Sequence, residues 1–376
     1  MPRAWMLLGA LLLVTVAQAQ TISERCPAGG IVRRTADFSP QGIILTYFDG
    51  SALWVYDIAR STRYPLPETT PCVSNCRLSP DARWITYLNP HTQGYMKMRL
   101  DGTQRTPIMD IAADVIWAAN GELLVWTPDH RAFYQPEGGT VDQRRFLPTD
   151  GVVTIMGDWA VRIALGADGF NRYLINFDVI QQPNATYQPL LLTADTPFFN
   201  AAAWSPDGRY LAFVQRAEAD AVGRRGAELA VVSLDVPAVH VLTNFSANGA
   251  VRINGASPSS LSWSPDSRRV AYWVLPMNAD DPAAVTGQAF LHMTDVSTRE
   301  TVRYCGFSTS EHTPNPPTLV WSPDSTHLAF GGNVEGDGRG YLLLALNVET
   351  GQFTELSDGI FPALGQPDVL AWGHRP

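Results

Sequence analysis

The sequence predicts an all-β chain folded as a single β-propeller of seven four-stranded blades. Three observations carry this. A turn phrase recurs along the chain, each copy is followed by a looser strand–turn–strand segment, and the last residues supply the one strand that the first repeat lacks. At 376 residues the chain exceeds an ordinary compact domain, a length that repetition of one supersecondary unit accounts for.

The clearest copies of the phrase read WSPDGRYLAFV from Trp204, WSPDSRRVAYWV from Trp263 and WSPDSTHLAFGG from Trp321. Earlier copies read FSPQGIILTYF from Phe38 and LSPDARWITYL from Leu78, with eroded versions from Trp117 and Asp158. Each is explained by turn chemistry. Pro206 presets φ at the second turn position, Asp207 can accept from its own backbone, and Gly208 tolerates positive φ. In the later copies Ser267 and Ser325 replace that glycine, so positive φ is not demanded there. The apolar run after each turn reads as a strand, and the preceding tryptophan offers a broad surface to bury between sheets. Each copy is therefore a β-hairpin.

A second hairpin follows each first one. ALWVYDIARSTRYPL (52–66), YMKMRLDGTQRTPI (95–108), ELAVVSLDVPAVHVL (228–242), AFLHMTDVSTRETVRY (289–304) and YLLLALNVETGQFTEL (341–356) each alternate strand, polar turn and strand. Four antiparallel strands make one propeller blade. Blades then begin near residues 38, 78, 117, 157, 204, 263 and 321, with six or eight left open because the fourth repeat is so eroded. The fragment VLAWG (369–373) would supply the inner strand of the first blade and close the ring, leaving no long free sheet edge.

These hairpins resemble the TolB-like β-propeller repeat, a WD40-like unit also found in the propellers of dipeptidyl-peptidase-type enzymes. The resemblance spans roughly residues 30–373 and implies the fold rather than a function. Two departures limit it. TolB carries an α/β domain ahead of its propeller, whereas here the repeats begin soon after the first residues. The peptidases carry a Gly-x-Ser-x-Gly elbow, and this sequence has none.

Residues 1–19 read as a cleaved signal peptide: Arg3, the apolar stretch Leu7 to Val16, then Ala17-Gln18-Ala19 at the cleavage positions. Residues 20–29 form an N-terminal segment and 30–376 the propeller. The mature protein is expected to be soluble, without a membrane span, and exported to the periplasm, cell surface or medium of a bacterium. In an oxidising compartment the four cysteines, Cys26, Cys72, Cys76 and Cys305, read as disulfides. Four allow three pairings; the short Cys72–Cys76 spacing favours a local staple, which leaves Cys26 for Cys305.

Charge narrows the partner. A net charge of −9 and a pI near 5.2 argue against nucleic acid. The spacing between motif serines grows from 40 residues (Ser39 to Ser79) to 59 (Ser205 to Ser264) and 58 (Ser264 to Ser322). The extra residues lie at 215–228, 244–260, 275–288 and 305–317, all on the face opposite the Ser-Pro-Asp turns. Long loops gathered on one face of a rigid scaffold are where binding concentrates. Arg216, Arg224, Arg225 and Arg252, with His312, are the candidate binding residues, the arginines forming an anion-binding patch on an acidic protein.

The expected function is non-catalytic binding of a protein or envelope glycan by a monomer, with no cofactor. The alternative is a metal-assisted polysaccharide lyase or hydrolase with its site in the central channel, for which His312 and His374 are the histidines to test. NVEGDG (333–338) mimics the opening of a calcium loop, but its twelfth position is Leu344, where a glutamate should stand. A glycine-rich turn between two strands explains it more simply.

Overall fold

The computed structural model describes residues 22–27, 30–35, 37–47, 53–67, 69, 76–89, 91–109, 114–118, 121–126, 131–135, 142–148, 151–166, 169–177, 188–194, 201–219, 223–254, 260–277, 289–305, 307–308, 316–334, 338, 341–356 and 368–376. The expected signal peptide, Cys72 and His312 lie outside them.

The fold is an all-β propeller, and the described strands hydrogen-bond into seven sheets. Five are four-stranded. Four of these are plain meanders, running from Arg77 to Met109, Asp114 to Pro148, Val152 to Ala194, and Ala202 to Val241. In the fifth, Asp368–Gly373 pairs antiparallel with Ile43–Tyr47, which continues into Leu53–Asp57 and Thr62–Leu66. The first strands of neighbouring sheets lie against one another. Ser262–Trp263 touches both Ala202–Trp204 and Val320–Trp321, and Val320–Trp321 touches Asp368–Gly373. Apolar clusters fill the space between sheets, including one in which Trp273, Trp321, Phe330 and Phe353 are buried together.

The two remaining sheets have six strands each, more than the repeat predicts, for two reasons. First, residues 22–33 add an outer strand to both. Ile22–Arg25 runs parallel to Thr301–Tyr304, and Ile31–Arg33 runs parallel to Phe353–Glu355. The Cys26–Cys305 disulfide fixes the first of these, with a Cα separation of 4.9 Å. Gln352 Nε2 donates to the Gly30 carbonyl over 2.7 Å, and Glu24 pairs with Arg303 at 3.1 Å. Second, the inner strand is split. Val251–Ile253 and Ser262–Trp263 both pair with Arg269–Pro276, and Phe307–Ser308 and Val320–Trp321 both pair with His327–Val334. Parts of the stretches read from sequence as long loops are thus continuations of the blades.

The repeated phrase builds the turns and joins the blades. Ser205 Oγ donates to Asp207 Oδ1 over 2.6 Å and accepts from the Tyr210 amide over 3.0 Å. Ser79 and Ser322 repeat this pair of bonds, and all three hydroxyls are buried. Ser267 and Ser325 do take positive φ, 58° and 61°, although neither is glycine. Left-handed backbone costs an L residue about 1–2 kcal/mol, and the compensation is visible. Ser267 Oγ accepts the Asp207 amide of the preceding blade over 3.0 Å, and Ser325 Oγ accepts the Asp266 amide over 3.1 Å. The motif tryptophans add a second inter-blade link. Trp263 Nε1 donates to the Ala203 carbonyl over 2.9 Å, and Trp321 Nε1 to the Ser262 carbonyl over 3.0 Å.

Candidate functional site

The candidate rim is built by the Ala202–Val241 sheet and the segment that follows it. Tyr210–Ala219 and Arg225–Ser233 pair along a long hairpin, with Arg216 opposite Ala227 and Ala219 opposite Arg225. The sequence places Arg216 and Arg225 in a loop; the structure places both on strands. The charges of Arg216, Arg224 and Arg225 masked the strand pattern in the sequence, although Ala217, Ala227 and Glu228 of this arm are buried. Arg224 immediately precedes the returning strand and is half-buried, while Arg225 is exposed.

Arg252 reaches the same rim through a glycine. A Cβ on Gly226 would lie 2.8 Å from both the amide nitrogen and the carbonyl oxygen of Val251, so the two backbones meet with no room for a side chain. Arg225 and Arg252 each adjoin a partner in that contact. Beneath it Glu228, buried in an otherwise apolar strand, holds the next segment. Its Oε2 accepts from Thr243 Oγ1 over 2.6 Å and from the Phe245 amide over 2.9 Å, and its Oε1 accepts from the Ser246 amide over 2.8 Å. The carboxylate thereby caps the 3₁₀ turn Phe245–Asn248 that leads into Val251–Ile253.

Phe245 in turn packs edge-on against His292, with ring centroids 5.4 Å apart, and His292 stacks on Tyr272 at 6.1 Å. Burial holds the His292 imidazole down to about 4, outweighing its bond to the Phe290 carbonyl. Burial also pushes the Tyr272 phenol well above its ordinary range; its hydroxyl lies 2.8 Å from Thr294 Oγ1. This part of the rim's support is neutral, packed and hydrogen-bonded.

Arg216 and Arg225 line one cleft between the Val152–Ala194 and Ala202–Val241 sheets, of about 650 Å³, with Leu191, Leu192, Thr193, Gln215 and Val239. Arg172 lies buried across the strand pair from Thr193. It donates to the Ala201 carbonyl over 3.2 Å and to the Val214 carbonyl, bridging the two blades. Burial lowers its pKa only to about 10, so it remains a cation at neutral pH. Of the five candidate binding residues, Arg216 and Arg225 line this cleft, while Arg224 and Arg252 adjoin Arg225 and Val251 in the chain. Arg172, Gln215 and Glu228 were not singled out from the sequence; a glutamate inside the apolar run Ala227–Val232 was the signal for the last.

His374 is on the opposite face. It is exposed, donates its amide to the Ala82 carbonyl over 2.9 Å, and lines a smaller cavity of about 430 Å³ with Gln41, Asp324 and Arg375. Among the described residues no group of three or more His, Cys, Asp or Glu side chains is placed to hold a metal ion. No helix among them is long and apolar enough to cross a membrane. Asn333 pairs directly with Tyr341 across adjacent strands, and Leu344 is buried in the second; residues 335–337 of the turn read from sequence lie outside the described residues. Cys76 is disulfide-bonded.

The chain matches no protein-family model and no curated protein. Solved structures similar to it include TolB from Acinetobacter baumannii, 13% identical over 86% of this chain and 81% of that one, with a TM-score of 0.38. Hsv2 from Kluyveromyces lactis is 12% identical over 84% and 93%, with a TM-score of 0.44. Hydrazine synthase from Kuenenia stuttgartiensis is 13% identical over 76% and 78%, with a TM-score of 0.41. No functional residue is carried over from any of them.

Proposed function

We propose that this protein is an exported, non-catalytic β-propeller that binds a protein or envelope-glycan partner through the rim carrying Arg216, Arg224, Arg225 and Arg252. The observation that carries the reading is the Gly226–Val251 contact. It brings cationic residues from two blades, 27 positions apart in sequence between Arg225 and Arg252, to one edge of an acidic molecule. In this proposal all seven sheets are blades of one ring, closed by Asp368–Gly373 pairing onto Ile43–Tyr47, and the chain acts as a monomer. Export is supported by the leader-like first residues and by the Cys26–Cys305 disulfide, which suits a periplasmic or secreted location. Cys72 is proposed as the partner of Cys76.

The test is a cross-linking pull-down from bacterial envelope extract. Mature protein is compared with a variant carrying Arg216, Arg224 and Arg225 changed to Ala. A protein or glycan retained by the first and lost by the second supports the reading. Equal recovery with both, from variants that fold equally well, overturns the assignment of the face.

A further inference from the structure

A second cleft, of about 390 Å³, opens between the Ala202–Val241 sheet and the sheet of Arg269–Pro276, at the end where the Ser-Pro-Asp turns lie. Strand register builds one wall of it. Tyr210 stands directly opposite Ser233, and Val231 directly opposite His240. Opposed residues share a sheet face, as do residues two apart on one strand, so all four project to the side that packs on Trp263. Val231 and Leu242, both buried, form an apolar floor. Tyr210 and Ser233 are half-buried above it, and His240 is exposed. Tyr210 is held by its stack on Trp263, with ring centroids 6.3 Å apart. Yet Tyr210 Oη, Ser233 Oγ and the His240 ring make no hydrogen bond to another described residue.

From this convergence we propose that the cleft is a second binding site, for the terminal unit of a neutral, hydroxyl-rich glycan. The ring hydroxyls would hydrogen-bond to Tyr210, Ser233 and His240, and the apolar C–H face of the sugar would cover Val231 and Leu242. Ser267 and Arg268 form the opposite wall. The Asp207 amide donates to Ser267 Oγ over 3.0 Å from one sheet to the other, which fixes the width. The site lies at the opposite end of the sheets from the arginine rim and stands independently of that reading.

Charge selects the class of ligand. Arg268 and Arg209 at the cleft already have counter-charges, Asp295 at 3.2 Å and Asp235 at 3.7 Å. Asp207 and Asp266 add negative charge to the lining, although one oxygen of each is engaged by the serine of its own turn. A phosphate or sulfate would compete with these carboxylates, and a chain of net charge −9 repels it further. A hydroxyl meets no such conflict, because it donates to a carboxylate or imidazole and accepts from a guanidinium or another hydroxyl. An apolar peptide side chain would cover the floor but strip water from three polar groups without replacing it. The volume lies within the roughly 300–1,000 Å³ usual for a small-ligand site, near its lower end, as a single terminal unit requires.

The experiment is saturation-transfer NMR with the mature protein and the methyl glycosides of glucose, galactose, mannose and N-acetylglucosamine, with glucose and glucose 6-phosphate as the charge comparison. At least one neutral glycoside should show transfer, and its titration gives a dissociation constant. Tyr210→Phe, which keeps the stacked ring, should weaken that sugar about fivefold, within the range one hydrogen bond spans. His240→Ala, at an exposed position, should weaken it by about as much, and circular dichroism checks that both variants fold. Absence of transfer from every neutral sugar to folded protein overturns the proposal, as does an affinity that neither variant changes. Tighter binding of glucose 6-phosphate than of glucose also overturns it, since that makes the cleft an anion site. The variant with Arg216, Arg224 and Arg225 changed to Ala should bind the sugar like the parent. Loss of sugar binding in that variant would move the site to the rim, removing this inference and leaving the broader reading intact.

Discussion

Glu228 is the residue on which the geometry of the rim depends, and its replacement gives a quantitative test. The carboxylate is 5% exposed and accepts three hydrogen bonds, two from backbone amides and one from Thr243. Bonds to a charged acceptor contribute about 1.5–3 kcal/mol each, and a buried donor left unpaired costs about 1–3 kcal/mol. Phe245 is buried and Ser246 half-buried, so water recovers only part of the loss. Glu228→Ala should therefore destabilise by about 4 kcal/mol. Glu228→Gln, which keeps the shape and one acceptor oxygen but turns an NH₂ towards a donor, should cost about 2 kcal/mol. At roughly 2 °C per kcal/mol, the low end for large domains, the melting midpoint should fall by about 8 °C and 4 °C in turn. Circular dichroism during heating measures the shift, and amide hydrogen exchange locates it. The amides of Phe245 and Ser246 should lose protection first, and Val251 next, because the turn they cap leads directly into the strand that meets Gly226. A Glu228→Ala protein that melts within about 1 °C of the parent, or that keeps protection at Phe245, would refute this account of the rim.

Three further outcomes follow from other contacts. The folded pKa of His292, about 4, lies below its ordinary 6.5, so the unfolded chain takes up the proton first. Stability should be complete above about pH 6.5 and decline by on the order of 3 kcal/mol as pH falls towards 4; urea midpoints across this range should show the decline, and His292→Phe should flatten it. Replacing Cys26 and Cys305 by serine opens a link spanning 279 residues, for which the chain-entropy treatment gives a loss on the order of 5 kcal/mol. The melting midpoint should drop, and exchange should rise first at Ile22–Arg25 and Thr301–Tyr304. Ser267→Ala keeps the positive φ of 58° but deletes the bond from Asp207, and should cost about 1–2 kcal/mol. Ser267→Gly relieves the backbone while losing the same bond and should lie near neutrality, so a glycine variant as damaged as the alanine one would show that the hydroxyl alone matters.

The repeat was legible because its physics is local. Ser205, Pro206, Asp207 and Gly208 specify a turn within four residues, and the apolar runs on either side specify strands. What the phrase does between blades was not legible, because the bonds from Asp207 to Ser267 and from Trp263 to Ala203 each join residues 60 positions apart. The same limit explains the N-terminal segment. Apart from Cys26, which was read as the partner of Cys305, nothing in residues 22–33 marks them as partners of strands some 280 and 320 positions later, since an outer parallel strand needs only backbone hydrogen bonds and leaves a weak side-chain pattern. At the rim, the arginines drew attention to the long hairpin, but Gly226 and Glu228 carry their meaning only through Val251 and Ser246. A buried carboxylate is informative once its donors are known.

The placement of these features separates the blade-to-blade bonds from the proposed binding rim. The turns that carry Ser205, Ser264 and Ser322 bind one blade to the next on one face, where most polar groups of the motif are already engaged with one another. The residues beyond the repeat rise on the other face, where Gln215 keeps a buried oxygen without a partner among the described residues. A scaffold tied together at one end can tolerate a less satisfied arrangement at the other, because the cost of the orphaned group is small beside the interface that holds it. The strap formed by Ile22–Arg25 and Ile31–Arg33 fits the same division. It covers the outer edges of the two sheets that follow the rim, while Leu190–Ala194 and Ala238–Val241, which flank the cleft, pair with no N-terminal strand. The cleft is therefore bordered by outer strands that, among the described residues, pair with no N-terminal strand.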